Sequence, residues 1–206
     1  MTIAARAFDT TAANNVLAFT NGRCAQLRPA PGNELTVNIT TPPTAVKPAH
    51  QASSPRTARS TDLPQVATVV PVITSSSTGL SANASQILIA GYGFTTAGNN
   101  TVVFNNAAVG TVSAATANQL TVDFSTKPTN AGSLNVVVTT NSVSNGSCAV
   151  QVATVQPHVT SSTSNLAADA TTLTITVWVS SSTAANNSVT FNNALQVRLL
   201  RPLRHR

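Results

Sequence analysis

The chain has 206 residues, enough for one or two ordinary domains. Only 8% of them are Asp, Glu, Lys or Arg and 4% are aromatic, against about a quarter charged in an average globular chain. Thr, Ser, Asn, Ala and Val fill the rest, which argues against charge-rich active sites and for β-strands joined by polar turns.

Residues 1–11 carry one Arg and no apolar run, so no signal peptide is expected there. The longest apolar stretches, such as 69–72, are far below the roughly 20 residues a membrane span needs. Asn14-Asn15, Phe19, Asn21, Leu35-Thr36-Val37 and Pro43 follow, and each of these features returns later in the chain. Residues 1–65 therefore read as a partial repeat that begins in the middle of a domain. Basic segments interrupt it at 23–32 and 47–64.

Residues 66–156 alternate between apolar runs and turn signals every 8–12 residues or so, which is the rhythm of a two-sheet β-sandwich. The predicted strands are 69–74, 86–90, 101–104, 109–113, 120–124, 133–139 and 148–152. Leu120, Val122 and Phe124 should face the core, as should Leu134, Val136 and Val138 on the next long strand. Ile87 and Ile89 belong to an inward face, and so do Val102 and Phe104. Clear alternation of this kind argues against a disordered Thr/Ser/Asn tract.

Residues 157–193 repeat the start of that unit. Gln65-Val66-Ala67-Thr68-Val69 recurs as Gln151-Val152-Ala153-Thr154-Val155, 86 residues on, with Pro71 and Pro157 at the same offset. Asn99-Asn100 with Phe104-Asn105-Asn106 matches Asn186-Asn187 with Phe191-Asn192-Asn193. On the other side, Leu35-Thr36-Val37 matches Leu120-Thr121-Val122, and Pro43 matches Pro128. A period near 86 is too long for a propeller blade or ankyrin unit and suits a whole immunoglobulin-like sandwich. The organisation is thus one complete copy at 66–156 and two partial ones, at 1–65 and 157–193. The basic tail 194–206 is expected to be disordered.

The complete copy resembles the IPT/TIG domain, an early-set immunoglobulin-like sandwich. The resemblance rests on the opening Pro71-Val72-Ile73-Thr74-Ser75 and on Ile87-Leu88-Ile89-Ala90-Gly91-Tyr92-Gly93-Phe94, a strand running into a Gly-x-Gly-Phe turn. It continues through Thr101-Val102-Val103-Phe104, the stretch 119–124 with Pro128, and Ala131-Gly132-Ser133-Leu134. Ala82-Asn83 departs from the family, which usually has a glycine pair there. Gly91 and Gly93 are expected to permit a positive-φ bend that drops Phe94 into the edge of the core.

Charge is distributed unevenly. The net charge of +6 and pI near 10.8 would ordinarily point to nucleic acid or an anionic surface. Yet residues 66–193 hold only Asp123, Lys127 and Asp169, one positive and two negative charges. The other Lys and Arg residues fall in 1–11, 23–32, 47–64 and 194–206, and the repeat pattern stops at the last three of these. Residues 22–33 and their counterpart 107–118 have equal length, which unrelated insertions would not preserve. The basic stretches are therefore expected to be repeat sequence read in a shifted frame. Val177-Trp178-Val179-Ser180 stands where the complete copy has Gly91-Tyr92-Gly93-Phe94. With Ser180 encoded as TCN, these codons read one base along permit Tyr-Gly-Phe.

Chemical motifs are almost absent. Asp9, Glu34, Asp62, Asp123 and Asp169 are scattered, and so are His50, His158 and His205. None of them forms a sequence pattern for acid–base work or for metal binding. No Gly-x-Ser-x-Gly elbow occurs, and Gly91-x-Gly93 lacks the third glycine and the helix of a dinucleotide fingerprint. Cys24 and Cys148 lack the within-domain pairing of antibody-type sandwiches and read as free thiols. No catalytic, cofactor-binding or metal-binding residue is expected, and no enzyme.

The resemblance implies a non-catalytic structural or adhesive module of a repetitive cell-surface or secreted protein, of which this chain is a fragment. The expected partners are neighbouring repeats of the same chain, with a surface protein or polysaccharide as candidate ligands. Two alternatives come from other classes: a TIG-type DNA-binding domain and an accessory module of a polysaccharide-active enzyme. Nucleic acid is disfavoured, because the complete copy has no basic loop cluster and the arginine tail interleaves no aromatic.

Overall fold

The computed structural model describes residues 65–180 and 184–192, together with 2–4, 18–19, 25–28, 34–39, 50–53, Pro43 and Val46. The basic tail 194–206, Cys24 and most of the basic segments lie outside the described residues. The fold is all-β, and no α-helix occurs among the described residues.

Among the described residues, the first 67 positions hold six short strands: β1 (Thr2–Ala4), β2 (Ala18–Phe19), β3 (Ala25–Arg28), β4 (Glu34–Ile39), β5 (His50–Ser53) and β6 (Gln65–Ala67). They form two three-stranded sheets, ordered β1-β4-β3 and β2-β5-β6. Next come β7 (Val72–Ile73), β8 (Gly79–Ser81), β9 (Gln86–Tyr92), β10 (Asn100–Phe104) and β11 (Val109–Ala115). They are followed by β12 (Gln119–Thr126), β13 (Gly132–Thr140), β14 (Val143–Ser144) and β15 (Val150–Gln156). One sheet runs β11-β12-β9-β7; the other runs β10-β13-β15-β8, with β14 hairpinned onto β13. A last pair, β16 (His158–Val159) with β17 (Val177–Trp178), follows.

Side-chain period fixes the two larger sheets. In β13 every second residue from Leu134 to Thr140 is buried, as an extended strand with one inward face requires. In β9, Ile87, Ile89 and Gly91 are buried while Leu88, Ala90 and Tyr92 are exposed. Leu120 and Val122 do the same in β12. Ile87, Ile89, Leu120, Val122, Leu134, Val136 and Val138, with Ile73, Val152 and Val155, belong to one buried cluster to which both sheets contribute. Phe104 and Phe124 are half-buried at its margin, their rings 5.4 Å apart and tilted by 52°. That geometry lies within the favourable tilted range for aromatic pairs.

The expected strand over 69–74 shortens to β7. Pro71 is fully buried and has no N–H for a ladder. The chain then changes sheets. Thr74 N donates to Ala90 O of β9 at 2.9 Å, and Ser76 N donates to Gln151 O of β15, also at 2.9 Å. Two residues therefore carry the chain from one layer to the other, and β8 runs parallel to β15 beyond them.

Registers recur along the chain. In β16·β17, His158 faces Trp178 and Val159 faces Val177; in β7·β9, Val72 faces Tyr92 and Ile73 faces Gly91, each number 86 lower. The bond from Thr160 N to Thr176 O likewise repeats that from Thr74 N to Ala90 O. Towards the N-terminus, Ala25↔Ile39, Gln26↔Asn38 and Leu27↔Val37 stand 85 below Gly110↔Phe124, Thr111↔Asp123 and Val112↔Val122.

Candidate functional site

The most constrained non-strand feature is the turn after β9. Gly93 has φ +87°, in the left-handed region that glycine occupies without steric cost. Phe94 is 3% exposed, so the bend does seat its ring in the core. Gly91 differs from the expectation: its φ is not positive, and close packing accounts for it instead. A Cβ there would collide with the Val72 carbonyl oxygen and come within 2.6 Å of Phe94 Cζ. The glycine pair thus has two distinct causes, conformation at 93 and space at 91.

Behind the turn sits a buried polar pair. Asn100 begins β10 and is 5% exposed, and Thr140 ends β13 and is fully buried. Thr140 Oγ1 donates to Asn100 Oδ1 at 2.7 Å. Asn100 Nδ2 donates to the carbonyls of Thr95 and Thr96, at 3.1 and 2.8 Å. One amide therefore ties the loop to both strands that support it. Asn100→Ala leaves the Thr140 hydroxyl and two carbonyls without this partner, and should cost about 1–3 kcal/mol in unfolding free energy. Urea denaturation of the variant checks this; an unchanged midpoint would contradict it.

The next residue after β13, Asn141, has φ +48°. Its Nδ2 donates to the carbonyl of Val46 at 3.0 Å. Val46 is fully buried, and its Cγ2 lies 2.9 Å from where a Cβ on Gly93 would be. Val46 thus touches the turn from outside the two larger sheets.

The ionisable groups are dispersed. Asp123 is exposed and accepts from Gln86 Nε2 across the β12·β9 pair at 2.7 Å. Lys127 Nζ donates to Asn83 O at 2.9 Å and to Asn83 Oδ1 at 2.6 Å. The same ammonium stands 5.2 Å from the centroid of the Trp178 ring, within cation–π range. Cys148 is exposed and free. His158 is half-buried in β16, and Asp169 is exposed in a turn. Asp9, Asp62, His205 and Cys24 lie outside the described residues, and only the backbones of Glu34 and His50 are described.

Among the described residues, no three His, Cys, Asp or Glu side chains gather as metal ligands would. None of their helices is long and apolar enough to cross a membrane. A second polar cluster has a structural use. Asn106, with φ +60°, accepts at Oδ1 from Asn130 N and Asn130 Nδ2, both at 2.9 Å. It latches the loop between β10 and β11 to the loop between β12 and β13.

Sequence reasoning found the glycine turn but missed Lys127 and Asn100. Lys127 could be singled out only as the lone cation of residues 66–193. The partners of both include residues dozens of positions away, and no local pattern announces them. No protein-family model, curated protein or solved structure matches the chain.

Proposed function

We propose that residues 66–156 form an immunoglobulin-like sandwich of the IPT/TIG type. On this reading the chain is a non-catalytic structural or adhesive part of a repetitive cell-surface protein. The observation that carries it is the strand order. The order β7-β9-β12-β11 against β8-β15-β13-β10 corresponds to A-B-E-D against A′-G-F-C, the arrangement of a constant-type immunoglobulin domain. The registers repeated at offsets of 85 and 86 support tandem copies on either side.

Sequencing the gene with several kilobases on each side tests this reading. Further copies with the same period are expected, both in the basic segments once the frame is restored and beyond the ends. A single frame with no copies elsewhere would sink the repetitive-protein proposal. A chain of residues 66–156 should be soluble, melt cooperatively and leave the anisotropy of labelled duplex DNA unchanged at low salt. Salt-sensitive DNA binding by that chain would favour the TIG-type DNA-binding alternative.

A further inference from the structure

We propose that successive copies dock head to tail, with a loop of one set against a turn of the next. The segment after the β12 position of one copy covers the turn after the β9 position of the next. The inference rests on the tandem-sandwich reading above. Its force comes from two junctions that use corresponding elements on both sides.

At the first junction the donor segment follows β4, whose register with β3 is that of β12 with β11 displaced by 85. Val46 of this segment is fully buried and packs beside Gly93, and its carbonyl accepts from Asn141 Nδ2 at 3.0 Å. At the second junction the donor segment follows β12 itself. Lys127 faces Trp178 at 5.2 Å. The adjacent Val179 is 7% exposed and belongs to the buried cluster of the two larger sheets. Trp178 and Val179 stand 86 positions after Tyr92 and Gly93. The two contacts join the same loop to the same turn through different residues, Val46 with Gly93 at one junction and Lys127 with Trp178 at the other.

The chemistry suits this occupant. At the first turn, Gly93 lacks a side chain, and the space is taken by an aliphatic group from the preceding segment. At the second, an aromatic at the Tyr92 position offers its face to the one cation of residues 66–193. Asn83 holds that cation through two hydrogen bonds, so the ammonium is already positioned when the next copy arrives. The partner this surface fits is therefore the preceding copy of the same repeat.

The full chain provides its own reporters. Trp178 is the only tryptophan of the 206 residues. Trp178 keeps 42% of its surface exposed, so Lys127→Ala should raise its acrylamide quenching by a measurable fraction, as the ammonium leaves the ring face. Val46→Asp should speed amide hydrogen exchange about tenfold at residues 91–94 and 141–144, with β9, β12 and β13 unaffected. Asn141→Gly keeps the left-handed backbone and removes the hydrogen bond, so a smaller change at the same amides is expected. Unaltered quenching and unaltered exchange at these sites, with protected core strands, would overturn the docking inference alone. Unprotected β9, β12 and β13 in the unaltered chain would overturn the sandwich reading, and the docking with it.

Discussion

Leu134→Ala should lower the unfolding free energy by about 2–5 kcal/mol, the range for removing a buried leucine from a packed core. Leu134 has no exposed surface. It sits on β13, which is flanked by β10 and β15 in the middle of its sheet. Val136 and Val138 follow on the same buried face. Little room exists for collapse around the gap, because strands bonded on both edges cannot shift independently. Val103→Ala is the control. Val103 is 68% exposed on neighbouring β10, and its truncation should stay within about 0.5 kcal/mol. Urea unfolding followed by circular dichroism compares the two, and similar losses would contradict the assignment of the inner face.

Gly91→Ala should cost about 3 kcal/mol, at the upper end of ordinary overpacking penalties. The added methyl would strike the carbonyl oxygen of Val72 and the ring of Phe94. Neither neighbour can yield cheaply. Ile73, the residue after Val72, is paired with Gly91 itself, so moving that carbonyl disturbs the β7·β9 ladder. Phe94 is 3% exposed and has no solvent to swing into. Gly98→Ala separates this effect from a general glycine effect, since a Cβ there meets nothing within 4 Å. Thermal melts of the two variants should differ clearly; equal melting temperatures would show that the crowding at 91 is relieved by movement.

The legible parts of the fold were those where one residue in two must be apolar. Ile87 and Ile89, Leu120 and Val122, and Leu134, Val136 and Val138 all face the core as their alternation requires. The strand ends were less legible. β15 runs to Gln156 rather than stopping at 152. Its last residues pair with β8, a contact between segments some 75 positions apart. β8 itself, Gly79-Leu80-Ser81, has one apolar residue and no periodicity to find. Phe124 shares its strand with fully buried Leu120 and Val122 yet is only half-buried. Alternation tells which face a residue takes, not how far the opposite layer extends over it. The polar anchors, Asn100 with Thr140 and Lys127 with Asn83, were illegible for a related reason. An Asn or a Lys in a Thr-rich chain looks like a solvated turn residue until its distant partner is known.

The parallel pair β8·β15 has a mechanical consequence. Gly79 faces Thr154, Leu80 faces Val155 and Ser81 faces Gln156. Three backbone bonds surround the pair: Thr154 N to Thr78 O, Ala82 N to Gln156 O, and Ser76 N to Gln151 O. Chain arriving from residue 65 reaches β8 at its N-terminal end, and chain leaving at 156 departs from the C-terminal end of β15. In a parallel pair those ends point in opposite directions. Tension applied between residues 65 and 156 therefore slides the two strands past one another instead of peeling them apart, so these bonds share the load and must fail together.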